Sequence, residues 1–273
     1  MTFDRRLTPA TDRVALDSLR GVLDRPAWTP GQPARLTVPL ADLLDAPGGR
    51  RDRQVIFGAD LTVIEERGDR VFVQAALDGY CGWLRAEALT RELPPITHRV
   101  TAPATHLYPA PDMKQPEILG LSIGARLSVS GIEGRFARLA TGGFVPVQHI
   151  GDQPVTDPVT VAENLLGTPY LWGGNSRAGI DCSGLAQIAL TECGIPCPGD
   201  SDLQRDAFPR AADIARGDLL FWPGHVALAA SGDLMIHATA WKMAVIWEPI
   251  ADAMARIEAA DGGSFLGARR PVR

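Results

Sequence analysis

Apolar side chains along this chain fall into two patterns. Through residues 1–155 they come in short alternating runs, period two, separated by glycine-bearing turns. Two of these runs match: Gly58-Ala59-Asp60-Leu61-Thr62-Val63 and Gly124-Ala125-Arg126-Leu127-Ser128-Val129. Each is followed by a turn, a further apolar strand and a glycine–aromatic block. The blocks are Gly79-Tyr80-Cys81-Gly82-Trp83 and Gly142-Gly143-Phe144-Val145-Pro146. The repeat predicts two small antiparallel β-barrels, residues 33–93 and 97–151, after an extension of residues 1–32.

From residue 156 the spacing changes. Asp157 and Pro158 have the residue types of an N-cap and a first helical position, and Val161, Leu165 and Leu166 continue a helix that Gly167 stops. Leu185, Ile188 and Ala189 recur at helical spacing, so Cys182 opens a second helix. Asp200-Ser201 caps a short third helix over Leu203–Ala207, and a sheet begins with Asp218–Trp222. His225–Ala230 and Leu234–Thr239 are β-compatible runs around the turn signal Ser231-Gly232-Asp233. Helices followed by an antiparallel sheet make residues 156–273 an α+β domain.

The chemistry-bearing residues lie in this second part. A cysteine at a helix start meets free backbone N–H groups and the positive end of the helix dipole, which favours thiolate over thiol. If the hairpin closes symmetrically about Ser231, His225 and His237 stand directly opposite each other on one face. One imidazole can then act as general base toward the thiol while the other orients it, the minimum apparatus for nucleophilic acyl transfer.

Five separated blocks, in order, resemble the NlpC-type cysteine peptidases. They are Pro169-Tyr170-x-Trp172-Gly173-Gly174, Asp181-Cys182-Ser183-Gly184-Leu185, Gly217-Asp218-Leu219, His225-Val226 and His237. The resemblance covers residue 158 to the end. It implies a papain-like domain that cuts cell-wall peptide stems, with Cys182 as nucleophile, His225 as base, His237 as orienting residue and the Tyr170 hydroxyl beside the oxyanion. Trp172 would line the cleft. The two barrels resemble tandem bacterial SH3-like modules. A subgroup with such modules is similar over the whole chain, and it hydrolyses the bond between γ-D-glutamate and a diamino acid in peptides with a free L-alanine terminus. Its substrate-binding positions correspond to Asp181, Ser183, Ser201 and, in the first module, Tyr80. That subgroup carries a glutamate where this chain reads Phe57-Gly58-Ala59-Asp60, so its acid is shortened and shifted to Asp60.

Charge and cysteine usage narrow the alternatives. The formal net charge is −5 and no basic block occurs, against a nucleic-acid partner. No apolar run approaches the roughly 20 residues of a membrane span. Met1–Gly21 has no apolar h-region, so a cytoplasmic location and a role in murein peptide recycling are expected. Cys81, Cys193 and Cys197 lack metal-ligand spacing with histidines, and neither a metal nor another cofactor is expected. A general wall endopeptidase, a muramoyl-alanine amidase, an acyl transferase acting on lipid and a non-catalytic wall-peptide binder stay open. The diamino acid and the oligomeric state are not fixed by these residues.

Overall fold

A computed structural model describes residues 3–272. The chain divides into two compact units: one runs through Val100 and includes Ala104–Ile150, and the other holds Thr101–Pro103 with everything from Gly151 on.

In the first unit, seven antiparallel strands form one sheet in the order Arg51–Ile56, Leu40–Leu44, Cys81–Arg85, Arg70–Ala75, Asp60–Arg67, Gln32–Leu36 and Leu89–Thr90. Alternation along them buries Leu36, Leu43, Leu61, Val63, Val71, Val73 and Leu84 on one side. On the other side, Ile64, Phe72, Cys81 and Trp83 pack with Val14 and Leu16 of the amino-terminal extension. The second half of the unit repeats the same backbone logic. Gly58 and Gly124 both have positive φ (78° and 84°) and donate to Leu36 and Val100. Ala59 and Ala125 accept from those same residues. The turn at Ala86 bonds back to Asp69 as that at Val147 bonds back to Arg135. Val100, Leu121, Ala125, Leu127, Leu139 and Val145 make the separate core of this half.

The second unit is built on a five-stranded antiparallel sheet. In chain order its strands are β1 (Leu219–Trp222), β2 (His225–Ala229), β3 (Leu234–Thr239), β4 (Ala244–Pro249) and β5 (Gly267–Arg269), and across the sheet they run β4-β3-β2-β1-β5. Four helices accompany it: α1 (Pro158–Glu163), α2 (Cys182–Glu192), α3 (Ser201–Ala207) and α4 (Ile250–Ala259). Ile250, Ala253 and Ile257 of α4 cover Leu220, Trp222, Ala227, Ala229 and Met235 of the sheet. Burial contributes about 1.5–3 kcal/mol for each large apolar side chain among these.

Several local expectations change. The Asp157 carboxylate does cap α1, accepting from Val159 N at 3.0 Å, but the helix ends at Glu163. Leu165 and Leu166 then bond three residues back rather than four, and Gly167 takes positive φ, so the expected last turn is a tightened exit. Asp200 occupies the N-cap of α3 without a capping bond from its side chain. The hairpin β2–β3 pairs Leu228 with Ile236 and Ala229 with Met235, so it is centred on Gly232 rather than Ser231. The Ser231 hydroxyl accepts from Leu234 N instead, which lengthens the turn by one residue on the far side. Because the shift in pairing is two residues, it preserves which face each side chain occupies.

Candidate active site

Asp181 is where the local sequence sets the position of Cys182. Its carboxylate caps α2, accepting from Gly184 N at 2.7 Å and from the Ser183 hydroxyl at 2.9 Å. The other oxygen accepts from Gly173 N at 2.9 Å, tying the preceding turn to the helix start. That turn runs beside residues 179–181: Leu171 N donates to Ile180 O, Ile180 N to Pro169 O and Asp181 N to Gly174 O. Behind it, α2 is buried nearly all round, and Gln204 of α3 donates to Ser183 O at 2.9 Å. Ser201 lies one turn before Gln204 on α3 and is half-buried.

The sulfur of Cys182 receives backbone N–H groups from Cys182 itself, Ser183 and Val226, which all favour the thiolate. Burial outweighs them and, with the charge of Asp181 beside it, pushes the thiol up to about 12. The resting group is therefore a thiol, and the expectation that a helix start alone yields thiolate does not hold here. Tyr170 is close enough for the charge of Cys182 to act on it; burial, Cys182 and Asp181 together raise its hydroxyl well above the usual range, so it stays a donor.

Val226, whose N–H meets the Cys182 sulfur, follows His225 on β2, where a line of polar groups begins. His225 Nε2 and His237 Nδ1 are 2.9 Å apart, with the rings edge-on and 5.1 Å between centroids. The two residues are diagonal neighbours rather than directly opposed, a correction that follows from the Gly232-centred register. His237 is fully buried, and its Nε2 lies 3.0 Å from Glu248 Oε2 without meeting hydrogen-bond geometry, so this is a close electrostatic contact rather than a well-directed bond. Glu248 in turn receives two bonds from Arg256, at 2.8 and 2.7 Å. Strand alternation explains the line. His225 and His237 share the parity of Ala227 and Met235, which face α4, and Met235 pairs with Glu248. Burial and the Arg256 guanidinium hold both histidines below the ordinary imidazole range, and His237 lowers His225 further. At neutral pH the resting site thus holds a thiol and two neutral imidazoles.

Glu248 is the residue that sequence reasoning missed. Its signal was an acid inside the otherwise apolar run Ala244–Pro249, in a strand that closes the sheet beside His237. Trp172 is 70% exposed on the turn before the nucleophile. The two positions of the first unit are engaged locally. Asp60 pairs with Arg35 at 2.7 Å, and Tyr80 is 2% exposed among the core residues, with the Arg53 guanidinium 5.8 Å from its ring centre. Among the described residues no cluster of histidine, cysteine and acidic side chains has the arrangement of a metal site, and no helix is long and apolar enough to cross a membrane.

Comparison with known proteins agrees with this arrangement. Residues 167–256 match the NlpC/P60 family, and residues 43–89 match the bacterial dipeptidyl-peptidase SH3 domain. A gamma-D-glutamyl-L-lysine dipeptidyl-peptidase of Bacillus subtilis (strain 168) is 30% identical over 213 residues, 68% of this chain and 71% of that protein. Dipeptidyl-peptidase 6 of Lysinibacillus sphaericus is 28% identical over 215 residues, 68% of this chain and 79% of that one. A crystal structure of an NlpC/P60 family protein from Bacillus cereus ATCC 10987 superposes with a TM-score of 0.75 at 24% identity, covering 89% of this chain and all of the other. The chain belongs to the NlpC/P60 family of cysteine peptidases, with a bacterial SH3 domain in its amino-terminal part.

Proposed function

We propose that this protein hydrolyses the γ-D-glutamyl–diamino acid bond of murein peptides that carry a free L-alanine terminus. The observation that carries the reading is the pairing of two features: the Cys182 thiol, buried at the start of α2 and receiving the Val226 N–H, and the contact of His225, the residue before Val226, with His237. The named activity of the Bacillus subtilis relative, a gamma-D-glutamyl-L-lysine dipeptidyl-peptidase, supports the peptide class, and the Lysinibacillus sphaericus relative is likewise named a dipeptidyl-peptidase. In the proposed reaction, His225 takes the thiol proton as the sulfur attacks the scissile carbonyl carbon. The Cys182 backbone N–H and the Tyr170 hydroxyl donate to the oxyanion, a contribution of about 3–4 kcal/mol per donor. Collapse expels the diamino acid amine, protonated by His225, and leaves a thioester. Water, deprotonated by His225, then releases the acid and restores the thiol.

Recognition of the substrate's ammonium is assigned to the Asp181 carboxylate with the Ser183 hydroxyl beside it, and Trp172 and Ser201 are assigned to the peptide. Tyr80 and Asp60 are retained as contributions of the first module, although each already serves its own module as a core aromatic and as the partner of Arg35. The proposal also takes residues 33–93 and 97–151 as two SH3-like modules, on the strength of their repeated backbone bonding, and residues 156–273 as the catalytic domain. Work on free peptides inside the cell, as in recycling, is the setting this substrate requirement fits.

The test is a pair of tripeptides, free and acetylated on the terminal alanine. A charge-assisted contact to an ammonium contributes roughly 1.5–3 kcal/mol, so acetylation is expected to lower kcat/KM by at least about tenfold. Equal hydrolysis of both would leave a general wall endopeptidase.

The pH dependence has a defined sign. Both histidines are held low, so the base stays unprotonated below the ordinary imidazole value near 6.5. The acid limb of kcat/KM is expected below that value; a limb at or above it would mean that the pair is not buried in the working enzyme.

A further inference from the structure

The buried polar line does not end at the histidines, and its far end decides which way their protons point. We infer that Glu248, held by Arg256, is a positioning residue that makes Nδ1 of His225 the basic nitrogen of the site. The inference rests on the catalytic reading of Cys182, His225 and His237 given above.

Two neutral imidazoles in contact through His225 Nε2 and His237 Nδ1, 2.9 Å apart, have two self-consistent arrangements. In one, His225 Nε2–H donates to His237 Nδ1, and the free lone pair of His225 lies on Nδ1. In the other, His237 Nδ1–H donates to His225 Nε2, and Nδ1 of His225 carries a proton. Only the first leaves His225 able to receive the thiol proton of Cys182. Nothing within the pair chooses between them.

Glu248 makes the choice. A carboxylate only accepts, and its Oε2 lies 3.0 Å from His237 Nε2, so the proton of His237 is favoured on that nitrogen. His237 Nδ1 is then an acceptor and His225 Nε2 a donor. The preference is transmitted without water, because His237 is fully buried and Glu248 is 5% exposed. The same carboxylate opposes the positive charge that appears on the histidines when the thiol gives up its proton. Arg256 fixes the carboxylate with two bonds and is stacked 4.4 Å from the ring centre of Trp241, which limits its movement. The charged groups acting on the pair are Glu248 and Arg256; around the thiol, Asp181 acts on Cys182, and both act on Tyr170 of the preceding turn.

Glu248→Gln is nearly isosteric yet incompatible with this arrangement. Whichever way the amide is turned, its N–H groups face an N–H of Arg256. Nitrogen NMR of imidazole-labelled wild-type protein at neutral pH is expected to show His225 and His237 both protonated on Nε2 and bare on Nδ1. In Glu248→Gln the pattern is expected to become mixed or reversed, with kcat down about tenfold or more and KM within about twofold. A variant with wild-type kcat, or with reduced kcat but an unchanged imidazole pattern, overturns the inference. So does wild-type protein with the proton on His237 Nδ1, a result that needs no variant to fold. The spectrum needs no substrate either. A wild-type protein with the expected tautomers that fails on γ-D-glutamyl peptides would sink the proposed function and leave the assignment of Glu248 standing.

Discussion

Cys182→Ser is expected to retain the fold and lose at least about 10³-fold in kcat/KM on a γ-D-glutamyl peptide. The hydroxyl fits the space left by the thiol, and the Asp181 cap, the Val226 N–H and the packing of α2 do not depend on sulfur. What changes is the nucleophile. A neutral imidazole that draws a proton from a buried thiol draws one from a serine hydroxyl far less readily, and the site has no second group to replace it. Thermal unfolding should move by only a few degrees, which separates lost chemistry from lost structure. Turnover near the wild-type rate in this variant would remove Cys182 from the mechanism.

Gly184→Ala is expected to have the next largest effect, through placement alone. A Cβ at this position would lie 2.5 Å from the Gly174 carbonyl, 3.1 Å from Asn175 Oδ1 and 3.2 Å from Asp181 Oδ1. The nearest of these is backbone, and that carbonyl accepts from Asp181 N. The methyl group must therefore pry the turn carrying Tyr170 and Gly173 away from the helix start that carries Cys182. Overpacking of this kind costs about 1–3 kcal/mol of stability. A displacement near 1 Å between nucleophile and oxyanion donor lowers kcat by roughly 100-fold. Denaturant unfolding and kcat on one peptide read both effects. Wild-type kcat in the alanine variant would show that this close approach does not position the nucleophile.

The parts of the site that were legible in the sequence are those fixed by local chemistry. Asp157 announces a cap because an acidic oxygen before a helical run has backbone N–H groups to accept from, and Asp181, expected only as a substrate-binding position, caps α2 by the same rule. Leu185, Ile188 and Ala189 mark the buried helix by period alone. The His225–His237 contact was readable as a shared face, since a two-residue shift in hairpin pairing leaves side-chain direction unchanged. The opposition itself was not readable, because the turn length depended on how the Ser231 hydroxyl bonded.

Other features needed the folded chain. The ionisation of Cys182 turns on how deeply α2 is covered, which no neighbouring residue states. Glu248 is linked to His237 only through strand pairing and to Arg256 only through the return of α4 over the sheet. Asp60 read as an available acid until the register of its strand set it opposite Arg35. In the same way, Tyr80, a substrate-binding position by resemblance, packs in its module's core, which its sequence neighbours do not state.

The most direct measurement is product identification by mass spectrometry after incubation with a free L-alanyl-γ-D-glutamyl-diamino acid peptide, alongside intact sacculi. The account predicts release of the L-alanyl-D-glutamate dipeptide and of the diamino acid fragment from the free peptide, with little product from sacculi. Cleavage only between muramic acid and alanine, or no cleavage of the free peptide by protein whose Cys182 still reacts with an alkylating agent, would contradict it.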